Sequence, residues 1–167
     1  MTVIEPLAAE HFATAAQWLS KPEINQWLSG EWRDRIVDPL LIGIAVRNKR
    51  SRIFLIRCDG QPCGLVALAD WDSADGIAMV WGIIGKPAYG GRGVFTEALR
   101  QLIEIAFREL HIEALHAWFM EDNPRSRRIV EKLGFHEQGR LRSAACRNGR
   151  RVDRIYFDLT RQDHDLR

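Results

Sequence analysis

The stretch Ala88-Tyr-Gly-Gly-Arg-Gly-Val-Phe-Thr-Glu-Ala-Leu99 runs three glycines and an arginine straight into an apolar, helix-forming segment. Glycine inside a helix or strand costs roughly 0.5–1 kcal/mol relative to alanine. Its concentration here marks a tight turn or a place where something approaches the backbone closely. The preceding Gly76–Ile84 is rich in Ile, Val and Trp and reads as a strand. The following segment puts Leu99, Leu102, Ile103, Ala106, Phe107 and Leu110 on one helical stripe. Strand, glycine loop and helix N-terminus together suit an anion, because the first amides of a helix lack internal partners and the helix dipole is positive there. Arg92 adds a charge that can reach phosphate oxygens, whereas Glu97 would oppose an anion if it turned toward the same spot. No Gly-Lys-Ser/Thr follows, which excludes a Walker loop. Gly91-x-Gly93-x-x-Thr96 lacks the third glycine of a dinucleotide fingerprint.

Outward from this stretch the chain alternates element types. Thr2–Leu7 reads as a strand, Ala8–Leu19 and Pro22–Leu28 as helices, and Asp38-Pro39 as the cap and first residue of a helix through about Val46. Arg52–Cys58 and Cys63–Ala69 flank Asp59-Gly60 as a hairpin, and Ile112–Met120 returns to strand. Asn123-Pro124 opens a helix that stops at Leu133-Gly134. Phe135–Arg147 and Arg150–Leu159 surround Asn148-Gly149, a strong hairpin signal. On the long helix, Arg100, Glu104 and Arg108 are spaced for pairing. The order predicts a mixed α/β sheet with at least one crossover.

Composition bounds the rest. The 167 residues are 46% hydrophobic and 28% charged, which suits one globular domain over 1–167. No apolar run is long enough to span a membrane and the first residues lack a signal pattern, so a cytoplasmic location is expected. Cys58, Cys63 and Cys146 form no CxxC and read as reduced thiols, with no metal site. Residues 125–167 carry twelve basic against six acidic side chains, a net +6, and the remainder is net −4. That asymmetry raises nucleic acid as a partner, but no recognition motif accompanies it.

The glycine stretch and Asn123-Pro-Arg-Ser-Arg-Arg-Ile-Val-Glu-Lys-Leu-Gly-Phe135, about 25 residues later, together resemble the GCN5-related N-acetyltransferases. Gly139-Arg-Leu-Arg142 with Gly149 and Asp153 is similar to the branch of ribosomal-protein N-terminal and spermidine acetyltransferases. The resemblance implies a mostly antiparallel twisted sheet with splayed central strands and flanking helices. It implies acetyl-CoA as co-substrate, an amine acceptor, and direct attack in a ternary complex. The loop Gly90, Gly91, Arg92, Gly93, Val94, Phe95 and Thr96 would hold pyrophosphate. Backbone near Ile83 or Ile84 would hold the acetyl carbonyl, and Asn123 the pantetheine arm. Gly90 and Phe95 depart from the family pattern, where Gln or Arg and a small residue are usual. The position of the usual proton-donating tyrosine is Val130, which leaves Ser126 as the nearest polar residue. Glu121 is the favoured base, with Asp70, Asp72 and His116 as alternatives. Trp27, Trp32, Trp71, Trp81 and Phe119 are candidates for the acceptor pocket, and Asp70, Asp72 and Asp75 for a polyamine site. The departures at Val130 and Phe95 keep a second function open, a CoA-binding domain without turnover. A homodimer is compatible with the sequence.

Overall fold

A computed structural model describes residues 1–166. Its strands are β1 (Thr2–Pro6), β2 (Arg52–Cys58), β3 (Gln61–Asp72), β4 (Ile77–Ile84), β5 (Ala114–Met120), β6 (His136–Arg147) and β7 (Arg150–Thr160). The helices are α1 (Phe12–Leu19), α2 (Pro22–Asn25), α3 (Pro39–Arg47), α4 (Val94–Glu104), α5 (Pro124–Lys132) and α6 (Arg161–Asp165). One seven-stranded sheet has the order β1-β2-β3-β4-β5-β7-β6. Every neighbouring pair is antiparallel except β4 and β5.

Strands β2 and β3 are buried on both faces, which explains their continuous apolar runs. Along β2, Phe54, Ile56 and Cys58 face α4, while Ile53 and Leu55 face α1 and α3. The stripe read from the sequence is the buried one: Leu99, Leu102, Ile103, Ala106 and Phe107 lie in the first of these cores. Helix α4 runs on into a π-helical turn, Ile105–Glu109, with the Leu110 amide donating to the Ile105 carbonyl at 3.1 Å. Glu104 pairs with Arg108 at 2.8 Å, as the spacing predicts, and with His164 of α6 at 2.9 Å. Gln101 ties α4 to the edge strand. Its side chain accepts from the Ile4 amide at 3.1 Å and donates to the Thr2 carbonyl at 2.9 Å.

Caps and turns follow the local chemistry. Asp38 accepts from the Leu40 amide at 2.8 Å and opens α3. Asn148 and Gly149 have φ of 49° and 73°, the two positive values that a type I′ hairpin turn needs. Two segments differ from the sequence reading. Helix α2 stops at Asn25, whose buried amide group donates to the Leu19 and Arg35 carbonyls and so anchors a loop in place of a further turn. Helix α6 is an addition, held by a capping box between Thr160 and Asp163.

Candidate active site

Strands β4 and β5 run side by side for only three residue pairs, Ile77 with Ala114, Ala78 with Leu115 and Met79 with His116. Beyond Met79 they part, and Val80–Ile84 keeps a partner on the β3 side only. The Gly85 amide donates to the Cys63 carbonyl at 2.8 Å. Alternation along an antiparallel ladder then turns the amides of Ile83 and Trp81 toward β3, and those of Val80, Gly82 and Ile84 toward the gap. Of the two sequence candidates for a carbonyl donor, the register leaves Ile84 free and commits Ile83.

The gap opens as a cleft whose lining includes Val80, Gly82, Phe95, Ala117, Phe119, Asn123, Ser126 and Val130. Phe95, the residue that departs from the family pattern, is accommodated by Gly82. A Cβ built on Gly82 would lie 2.6 Å from Phe95 Cε2 and 2.5 Å from the Leu65 carbonyl oxygen. A glycine in β4 therefore makes the space that the phenylalanine fills. Gly82 was not singled out in the sequence; its lack of a side chain beside a bulky residue on the facing helix was the available signal.

The glycine loop leads into α4, whose Phe95 and Leu99 line the cleft. Gly91 and Gly93 have φ of 73° and 77°, and a Cβ on either would meet nothing within 4 Å. They are present for backbone conformation, and the space beside them is open. Gly93 is the N-cap of α4 and no side chain caps the helix. Among the described residues, no backbone acceptor outside the regular elements is found for the amides from Gly91 to Thr96. Glu97 is drawn away from them by Arg100 and by Gln101, which donates to it at 3.2 Å. Arg92 stacks on Tyr89, its guanidinium carbon 5.5 Å from the ring centre. An uncapped run of amides beside open space and an arginine fits a pyrophosphate.

Asn123 caps α5, accepting from the Ser126 amide at 3.2 Å, and both residues line the cleft. Glu121 does not. Its carboxylate accepts from the Asp153 amide at 3.0 Å and from Arg140 at 3.2 Å, which commits it to the β6–β7 hairpin. Strand β5 ends at Met120, and Glu121 begins the turn toward α5 beside β7, its amide donating to the Asp153 carbonyl at 3.0 Å. Asp72 accepts from the Ala74 and Asp75 amides at 2.9 and 3.2 Å, and these bonds hold its carboxyl below its ordinary pKa. It shapes a turn. Much of the arginine excess of the C-terminal region is spent on pairs such as Arg127 with Glu131 and Arg161 with Glu113.

On the opposite face of the sheet a second, smaller chamber adjoins the cleft, lined by Trp27, Leu28, Ser29, Trp32, Met79, Val80, Trp81 and Trp118. Trp32 and Trp81 are 5.9 Å apart between ring centres. Trp71 lies elsewhere, beneath Arg52. Phe119 belongs to the cleft rather than the chamber. Trp118 was missed in the sequence, although alternation with the inward Ala117 and Phe119 places it here. Arg147 holds the chamber wall. It donates to the Gln26 carbonyl at 2.8 Å and to Asp122 at 3.1 Å, and stacks over Trp27 at 3.8 Å.

His116 sits where β4 and β5 part, opposite Met79. Burial pushes its pKa down, and Asp70 pulls weakly the other way. The folded chain therefore binds this proton less readily than the unfolded chain. The stability linked to neutral His116 is present above its unfolded pKa, about 6.5, and is lost as pH falls through the lower folded value. Urea denaturation at pH 7 and pH 5 should show a loss of stability on acidification that is smaller in His116→Gln. Equal losses in both proteins would exclude this linkage.

Comparison with known proteins agrees with this geometry. Residues 2–136 match the Acetyltransferase (GNAT) domain. YdaF of Bacillus subtilis, a protein named for ribosomal N-acetylation, is 32% identical over 105 residues, which cover 63% of this chain and 57% of that protein. Spermidine N(1)-acetyltransferase of Escherichia coli K12 is 30% identical over 104 residues, 62% of this chain and 55% of that protein. The matched stretch thus spans just over half the length of these relatives. The spermidine N-acetyltransferase of Vibrio cholerae, solved with CoA and spermine, superposes with a TM-score of 0.87 at 19% identity over 98% of this chain and 97% of that one. The chain belongs to the GNAT acetyltransferase family, close to its spermidine and ribosomal N-acetyltransferase branch.

Proposed function

We propose that the protein is an acetyl-CoA-dependent N-acetyltransferase that acts on a primary amine. The observation that carries this reading is the parting of β4 and β5 after Met79, which opens a cleft lined by Phe95 at the start of α4 and adjoining the aromatic chamber. The loop amides from Gly91 through Val94 and Phe95 to Thr96, with Arg92, would hold the pyrophosphate, and Gly90 would lead the chain into this cradle. The Asn123 side chain and the unpaired edge of β4 would hold the pantetheine arm. Bound acetyl-CoA supplies an acetyl thioester, from which the acetyl group passes to the amine as a C–N bond forms and the C–S bond breaks.

The chain's own residues do the rest. The amides of Gly82 and Ile84 face the gap as donors for a carbonyl oxygen, and fixed donors of this kind are worth about 3–4 kcal/mol of barrier each. Of the candidate bases, His116 stands on the chamber's side of the strand junction, and its depressed pKa leaves it neutral and able to accept the amine proton. Ser126, beside Asn123 in the cleft, is the proton donor for the leaving sulfur, since Val130 has nothing to give. Positioning carries much of the acceleration, up to about 7–11 kcal/mol for well-oriented partners.

The test pairs binding with turnover. Calorimetry should show saturable acetyl-CoA binding, and an amine panel should release CoA with a matching acetylated product. No binding would sink the enzyme reading. Binding without acetylation of any amine would leave a CoA-binding domain without turnover.

A further inference from the structure

We infer that the acceptor is a monoamine with an aromatic body, and not a polyamine or an aminoglycoside; this rests on the proposed acetyltransferase reading. The chamber next to the cleft is built from four tryptophans, Trp27, Trp32, Trp81 and Trp118, with Leu28, Ser29 and Met79. Among the described residues, no charged side chain lines either the chamber or the cleft.

The charges just behind the wall have the wrong sign for a polycation. Arg147 covers one face of Trp27 at 3.8 Å and Arg154 covers one face of Trp118 at 3.9 Å. One face of each of these two rings is thereby taken by a guanidinium, which leaves less of the chamber wall to attract an ammonium group. Arg154 Nε is buried without a hydrogen-bond partner, so its charge is weakly screened. Three nearby acids are paired, Asp122 with Arg147, and Glu121 and Asp153 with Arg140, while Asp70 acts on His116 at the strand junction.

An acceptor with a single amine gains from these walls. Desolvation lowers an amine's pKa and favours the neutral form that attacks. Each further ammonium of a polyamine would be desolvated with no carboxylate opposite it, which is costly. A planar aromatic group instead finds tilted indole rings to pack on. Trp32 and Trp81, inclined at 36°, form such a wedge.

Two readouts test this. Phenethylamine, butylamine and spermidine are titrated into the full chain while tryptophan fluorescence is followed, without acetyl-CoA. Phenethylamine should bind at least tenfold tighter than either of the others, and kcat/KM with acetyl-CoA should rank them in the same order. Trp32→Leu should erase the preference. Ser29→Asp, a change at a partly exposed position, should move it at least tenfold toward spermidine. Spermidine or kanamycin binding as tightly as phenethylamine would overturn the inference. So would a peptide with N-terminal phenylalanine preferred tenfold over phenethylamine, which would assign the chamber to a protein terminus. The fluorescence arm reads the chamber even if acetyl-CoA fails to bind, so failure of the enzyme reading and failure of the acceptor class give different results.

Discussion

Gly93→Val should weaken acetyl-CoA binding about 100-fold while leaving the fold in place. Gly93 has φ of 77° and is the residue from which α4 starts. A β-branched residue in that conformation carries strain of about 1–3 kcal/mol. The loop is exposed and a Cβ there meets nothing within 4 Å, so the chain can relieve the strain by letting the loop move. That movement turns the amides of Gly91–Thr96 away from a common point. Hydrogen bonds to a charged group are worth about 1.5–3 kcal/mol each. Losing one or two of them gives about 3 kcal/mol, or about 100-fold. Calorimetry with acetyl-CoA measures the loss and a urea melt checks the fold. Gly93→Ala, with less steric demand at the same φ, should fall between. Unchanged affinity in Gly93→Val would remove the loop from the binding site.

How much of this was legible beforehand depended on distance along the chain. The glycine loop, its helix stripe, the Asn123 cap and the Asn148-Gly149 turn are all set by neighbours within a few residues, and each appears where the spacing puts it. The parting of β4 and β5 follows from pairing across thirty-odd residues, and the sequence reached it only through family resemblance. The fate of individual side chains was harder. Glu121 and the cleft-lining Ser126 lie five residues apart, yet a turn sends the carboxylate to Arg140 and Asp153. Phe95 looked like an obstruction because its compensation, Gly82, is on another element. Trp71 and Trp118 are equally good aromatic candidates by type, and strand pairing alone decides which one reaches the chamber.

Another such contact, between Gly85 and Trp18, seats α1 against the end of β4. Trp18 on α1 is 4% exposed, and a Cβ on Gly85 would lie 2.1 Å from its Cδ2. Lys21 fixes the same junction by donating to the Gly85 carbonyl at 3.1 Å. A ring enclosed by core cannot step aside as the tip of a flexible side chain would. Gly85→Ala should therefore reach or exceed the upper end of the overpacking range, about 3 kcal/mol, in urea denaturation. Trp18→Leu alone should cost about as much, through the cavity it leaves. If the clash is the cause, the two losses cannot add, because the smaller leucine vacates the space that the methyl needs. The double variant should lose at least 1 kcal/mol less than the sum of the single losses, a coupling of the size found between residues in contact. Simple additivity would mean that Gly85→Ala acts through the β4 backbone, and that α1 rests on the sheet without needing this glycine.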